Sequence, residues 1–236
     1  MAWQCTGTSN ASLVGNLARE DIIKSAAVKD AFLKVDRAHY APYRPYEDSP
    51  QPIGHGATIS APHMHATAVQ QLHDRVLPTT ANPAPRVLDV GSGSGYLTHI
   101  LAELAGPRGV VIGVEHISEL RDLGEANMRK SAEGRALLES GRARFVVGDG
   151  RKGWKEGGEE EEGWDVIHVG ASAREMHPEL LAQLRTPGRM FIPVDDAPGS
   201  QIQHVWVVDR DAGGVVSSRK LFGVRYVPLT DSPPRV

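Results

Sequence analysis

The 236-residue sequence predicts an α/β fold: a doubly wound, mostly parallel sheet with an antiparallel C-terminal edge and a set of N-terminal helices. Three observations predict it. From residue 85 onward short apolar strands alternate with helical stretches, a pattern that builds parallel crossovers and covers both faces of the sheet. The first of these strands runs through a glycine-rich turn, "VGSGSGY", straight into a helix. The tail instead carries strands joined by a tight "DAGG" turn, which suits an antiparallel pair.

Taken in order, residues 10–36 place apolar groups at mixed three- and four-residue spacings and read as two helices, with Ser25 as the break. "YAPYRPYEDSPQPIG", rich in proline and tyrosine, reads as an ordered loop. A helix is predicted from Ser60, with the serine as cap, Pro62 in the first turn, and Met64, Ala68, Val69, Leu72 and Val76 as its apolar stripe. "LPTTANPAP" then divides an N-terminal segment (1–80) from the sheet-forming part (85–236) of one domain spanning 1–236. The alternation runs "RVLDV" (strand), "YLTHILAEL" (helix), "GVVIGVE" (strand), "ISELRDLGEANMRKSA" (helix), "ARFVVGD" (strand) and "WDVIHVG" (strand). It closes with "MHPELLAQL" (helix) and "GRMFIPV" (strand). Between the third and fourth strands "KEGGEEEEG" (Lys155 to Gly163) reads as a solvated acidic insertion.

Composition narrows the function. With 40% hydrophobic and 23% charged residues the chain looks globular, and a net charge of −3 offers no electrostatic footprint for nucleic acid. No run of about 18 apolar residues occurs, and "MAWQCTGTSNASL" lacks the basic-then-apolar order of a secretory leader. Neither a membrane partner nor export is expected, and a cytoplasmic location follows as the expectation. Cys5 is the only cysteine, so an intrachain disulfide is impossible; in a polar, mobile terminus it makes a poor candidate nucleophile.

The glycine-rich turn, with Gly91, Gly93 and Gly95, lets the backbone approach a ligand closely at the carboxyl ends of the strands. Its GxGxG spacing differs from the GxGxxG that cradles a dinucleotide pyrophosphate. Three acids stand at successive strand ends: Asp89, Glu115 and Asp149. Glu115 is placed to accept both hydroxyls of a ribose, and Asp149 to accept from an exocyclic amine. A row of carboxylates opposes phosphates but suits an adenosine carrying a positive centre, which S-adenosylmethionine is. His63 and His65 form H-x-H, yet residues two apart on a helix face different sides and no further ligands are spaced nearby, so no metal is expected.

These residues resemble the protein-L-isoaspartate O-methyltransferase family over nearly the whole chain. The likeness runs through "DRAHYAPYRPYEDSPQPIG", "ATISAPHMHA", "VLDVGSGSGYLT", "VIGVEHI", "VVGDGRKGW", "WDVIHVGA", "LRTPGRMFIPV" and "RYVPLTD", of which "ATISAPHMHA" is the most specific. The resemblance implies a Rossmann-like class I methyltransferase fold and transfer of a methyl group from S-adenosylmethionine, leaving S-adenosylhomocysteine. The acceptor it implies is the free α-carboxylate of isoaspartyl residues in damaged proteins and peptides. The ester then closes to a succinimide that opens partly to normal aspartate.

By the same resemblance Ser60 is the active-site serine, and Thr58, Ile59 and His65 surround cofactor and substrate carboxylate. Asp89, Gly91, Ser92 and Gly93 belong to the cofactor turn, Glu115 and His116 to the ribose side, and Asp149 with Gly150 to the adenine side. Val227 and Thr230 fall in a stretch packed over the site, Val227 on the substrate side and Thr230 on the cofactor side. A monomer is implied. Asp195 and Asp196 stand where a glycine-rich loop is usual, and the acidic insertion has no clear counterpart.

Overall fold

The computed structural model describes residues 5–155, 163–197, 200 and 202–229. Helix α1 (Asn10–Arg19) starts at Ser9, whose hydroxyl accepts from the Ser12 backbone N–H while the Ser12 side chain accepts from the Ser9 N–H. This reciprocal cap satisfies two otherwise orphaned donors. Leu13, Val14 and Leu17 face inward. Helix α2 (Ala26–Lys34) begins directly after Ser25, the expected break.

The proline- and tyrosine-rich loop ends sooner than its composition suggests. Its last residues form β1 (Gln51–Gly54), antiparallel to β2 (Ala57–Ile59). The reversal uses Gly54, His55 and Gly56, all with positive φ. Helix α3 (Pro62–Val76) corrects a second expectation: its N-cap is Ala61, and no side chain caps it. Pro62 opens the helix without needing a hydrogen-bonded N–H, so the Ser60 hydroxyl is not spent on capping.

Strand β3 (Arg86–Val90) leads into α4 (Tyr96–Leu104), and β4 (Val110–Glu115) into α5 (Ser118–Met128). The helix expected over 117–132 is α5, which ends at Met128, and a separate helix that was not expected follows it. Ser131 caps α6 (Ala132–Glu139) by accepting from the Gly134 N–H at 3.0 Å, and serine there competes with helix continuation. Then follow β5 (Ala143–Val147), β6 (Trp164–Val169), α7 (Pro178–Gln183), β7 (Leu184–Asp195), β8 (Gln203–Arg210) and β9 (Val216–Val224). Residues 156–162 of the acidic insertion lie outside the described residues.

The seven-stranded sheet runs β5-β4-β3-β6-β7-β8-β9, parallel through β7 and antiparallel at β8 and β9. From β3 the chain winds outward to β5, then returns to place β6 on the other side of β3. A crevice opens at the carboxyl ends of strands where the winding reverses, here β3 and β6. One apolar cluster joins α1, α2, α3 and α4 to a sheet face through Leu13, Phe32, Leu72, Ile100 and Val166. The other face buries Leu88, Ile112, Trp164, Ile167, Leu180 and Ile192. Each such side chain contributes roughly 1.5–3 kcal/mol when fully buried. Cys5 belongs to the first cluster rather than to a polar terminus, because the Gly7 N–H bonds the Tyr46 carbonyl and Asn16 bonds the Thr6 carbonyl. Burial, with Asp48 adding to it, pushes its thiol up to about 11. Among the described residues no helix is long and apolar enough to cross a membrane.

Candidate active site

The turn after β3 is built for close approach. Gly91 and Gly93 take positive φ (75° and 49°), which side chains disfavour. The N–H groups of Gly91 and Ser92 donate to the Val114 carbonyl at 2.8 and 3.2 Å, pinning the turn to β4. Gly93 N–H donates to Glu115 Oε2 at 3.0 Å. Glu115 Oε1 accepts from the His116 N–H and Nδ1, both at 2.8 Å, and from the Ile117 N–H at 3.3 Å. One buried carboxylate thus organises the turn and the tip of β4. Among the described residues the buried Ser92 hydroxyl has no hydrogen-bond partner, and the residue lines the slot.

Of the three acids expected at strand ends, only Glu115 closes its strand. Asp89 lies one residue inside β3, where its oxygens accept from Thr98 Oγ1 at 2.6 Å and from His168 Nδ1 at 2.8 Å. Asp149 lies beyond β5 and caps a short 3-10 turn, accepting from the Arg151 N–H, Nε and Nη2 at 3.0, 2.9 and 2.9 Å. Those bonds hold its carboxyl below the usual range, outweighing partial burial. Gly150 abuts β3: a Cβ there would stand 2.4 Å from Val90 Cγ1.

Two compartments meet at this turn. A narrow inner slot is walled by Thr58, Ile59, Ser60, His65, Asp89, Gly91, Ser92 and Gly93, together with His168 and Gly170. An outer groove of about 250 Å³ runs over Pro50, His63, Met64, Tyr226 and Val227. They share Thr58, Ser60 and Gly170. Gly170 bonds the Val90 carbonyl at 2.8 Å, so the tips of β3 and β6 form the floor between them. Val227 reaches the groove because its carbonyl accepts from the Ser172 N–H at 2.8 Å. Thr230 lies outside the described residues. Glu115, His116, Asp149 and Gly150 wall neither compartment; Glu115 meets the turn through the Gly93 N–H, and His116 bonds Glu115 behind it. Asp195 and Asp196 line a separate groove beside α7, where Asp195 accepts from Ser172 and Asp196 from His204 and Lys220.

Residues that sequence reasoning missed complete the walls. Tyr226 lines the groove together with Ser60; enclosure by protein pushes its phenol up to about 12, so it is protonated at neutral pH. His168 joins Asp89 to the slot, and Arg37 supports Ser60 and His65 from beneath. The one available signal was a histidine in the otherwise apolar core strand "VIHV". His65 is held well below its ordinary value by burial first and by the Arg37 charge second, and is neutral. Among the described residues no three His, Cys, Asp or Glu side chains gather into a metal-ligand group.

At the groove wall, buried Asp48 accepts from His63 Nδ1 at 2.8 Å and from the His63 N–H at 3.0 Å. Burial pushes its carboxyl up, but these bonds and the charges of His63 and Arg37 outweigh it, so the net shift is downward from 3.8. A lowered folded-state value stabilises above the unfolded value and is lost as pH falls through the folded one. Asp48→Asn should therefore cost about 1–3 kcal/mol at pH 7 and progressively less as pH falls below 3.8, read from urea midpoints in both ranges. An equal cost at both would show that the ionised form contributes nothing.

A family model described as Protein-L-isoaspartate(D-aspartate) O-methyltransferase (PCMT) matches residues 8–233. The chain belongs to that family. Relatives in it include the protein-L-isoaspartate O-methyltransferase of Triticum aestivum, 44% identical over 94% of this chain and 91% of the relative. The Caenorhabditis elegans enzyme of the same name is 40% identical over 98% and 96%. A crystal structure of a candidate protein-L-isoaspartate O-methyltransferase from Plasmodium falciparum, in complex with S-adenosyl-L-homocysteine, superposes with a TM-score of 0.84. It is 33% identical and covers 95% of this chain and 99% of that one. The isoaspartate methyltransferase family thus accounts for both the N-terminal segment and the sheet, since the match spans them together.

Proposed function

We propose that this isoaspartate methyltransferase family member uses the two joined compartments to transfer a methyl group from S-adenosylmethionine to the free α-carboxylate of L-isoaspartyl residues. The observation that carries the reading is the junction itself. Ser60 belongs to both compartments, so a hydroxyl stands where a cofactor from the slot and a peptide from the groove would meet. The slot, about 30 Å³, suits a sulfur-bound methyl group rather than a whole nucleoside. The donor set fits the remainder: a Ser92 hydroxyl unpartnered among the described residues, the Glu115 carboxylate for ribose hydroxyls, and Asp149 with Gly150 on the adenine side.

When bound, S-adenosylmethionine supplies an electrophilic methyl group on a cationic sulfur. The acceptor carboxylate is ionised at neutral pH, its ordinary pKa being about 4, so no general base is required. That agrees with a site whose histidine beside Ser60, His65, is neutral and buried. Both charges diminish as the transition state forms, so water, which stabilises them when separate, slows the step. Ser60 and Tyr226 hold the carboxylate in line, an arrangement worth up to about 7–11 kcal/mol in well-oriented intramolecular reactions. Ile59 lines the slot and Val227 the groove, so apolar surface borders both compartments.

On this reading the whole chain acts as one domain, a cytoplasmic monomer whose partners are isoaspartyl-containing proteins and peptides rather than nucleic acid or membrane. Incubation with methyl-labelled cofactor, an isoaspartyl peptide and its aspartyl twin tests the assignment. Base-labile label is expected on the isoaspartyl peptide alone; equal labelling of both, or of neither, sinks it.

A further inference from the structure

Arg37 is completely buried, yet no carboxylate pairs with it among the described residues. A buried charge without a partner is expensive, and such groups persist where they do something. Its guanidinium lies 5.1 Å over the centre of the Tyr96 ring, and Asp48 acts on it only from a distance. Burial brings it down to about 10, so it remains cationic at neutral pH. Two polar groups are directly engaged. Nη2 donates to the Ser60 carbonyl at 2.7 Å, and Nη1 stands 3.4 Å from His65 Nδ1. Its backbone is fixed as well: the Arg37 N–H donates to Asn10 Oδ1, and Asn10 Nδ2 to the Phe32 carbonyl.

A guanidinium carries donors only, so the His65 nitrogen facing it must present a lone pair. The proton of the neutral ring then resides on Nε2, leaving a single N–H donor on a residue that walls the slot. We propose that Arg37 is a positioning residue for methyl transfer, fixing at once the backbone of Ser60 and the Nε2–H tautomer of His65. The inference rests on the functional reading above. One planar fork couples the two sides of the acceptor position, which a lysine, with its compact point charge, reproduces only in part. Other groups facing His65 do not set the tautomer. His63 lies on its own helix with Nδ1 turned to Asp48, Tyr96 offers its ring at 5.4 Å between centres, and His168 Nδ1 is held by Asp89.

Nitrogen-15 spectra of the intact chain and kinetics of Arg37→Met and Arg37→Lys test this. In the unaltered protein His65 should be neutral with the proton on Nε2 from about pH 6 to 8, across the range where free histidine titrates. Arg37→Met should lower kcat on the isoaspartyl peptide by about tenfold or more, the loss of a charge-assisted hydrogen bond. Arg37→Lys should recover part of it. Affinity for S-adenosylhomocysteine by calorimetry should stay within about threefold, because the glycine turn has its own bonds. A protonated ring or an Nδ1–H tautomer in the unaltered protein overturns the proposal, and so does a Met variant with undiminished kcat or with matching losses in kcat and affinity. Should that variant fail to fold, the ring spectrum of the intact chain decides. An intact chain inactive on the peptide would overturn the methyltransferase reading instead, with the ring spectrum still deciding what Arg37 fixes.

Discussion

Replacing Ser60 with alanine is expected to lower kcat for isoaspartyl methylation by about a hundredfold or more, the usual loss when one preorganised hydrogen-bond donor is removed from a reacting oxygen. S-adenosylhomocysteine should bind almost as before. The hydroxyl sits where slot and groove meet and caps no helix, so its removal spares both α3 and the glycine turn. Tyr226, which lines the same groove, would keep its protonated phenol. Stopped-assay kinetics paired with calorimetry separate the effects. Equal losses in rate and in cofactor affinity would show that Ser60 holds the cofactor rather than the acceptor.

The second large effect concerns Glu115. Its carboxylate accepts from the Gly93, His116 and Ile117 N–H groups and from the His116 ring. Glu115→Ala leaves those donors unpaired and removes the proposed ribose ligand. Hydrogen bonds to a charged group are worth about 1.5–3 kcal/mol each, so cofactor affinity should fall by about a hundredfold. Asp149→Ala should cost less, about 1 kcal/mol or roughly fivefold in affinity, because Arg151 already occupies its carboxylate and the group is more exposed. Calorimetry with S-adenosylhomocysteine ranks them. If Glu115→Ala lowered only the melting temperature and left affinity intact, Glu115 would be a turn residue and no more.

Much of the fold was legible because local patterns sufficed. The helix at Tyr96–Leu104 and the strand at Arg86–Val90 have the bounds their apolar spacing indicates. Where reading failed, a local signal had two meanings. Ser60 precedes a helix and looks like a cap, but Pro62 moves the helix start, so Ala61 takes that place. Ser131 lies within a continuous helical pattern and restarts it instead of extending it. Asp89 does wall the slot beside the glycine turn, but its partners Thr98 and His168, nine and 79 positions away, were not readable locally.

By itself the amino-acid sequence determined the alternating strands and helices, the glycine turn with the acid closing the next strand, and the family to which the "ATISAPHMHA" run belongs. These depend on neighbours within a few residues, where periodicity and turn chemistry act. Only the tertiary structure decided what surrounds Ser60. The reversal of winding between β3 and β6 brings Arg37, His65, His168 and Tyr226 together from separate segments. Burial then removes the water that would otherwise satisfy them, leaving each polar group to find its partner in the protein or in what the protein binds.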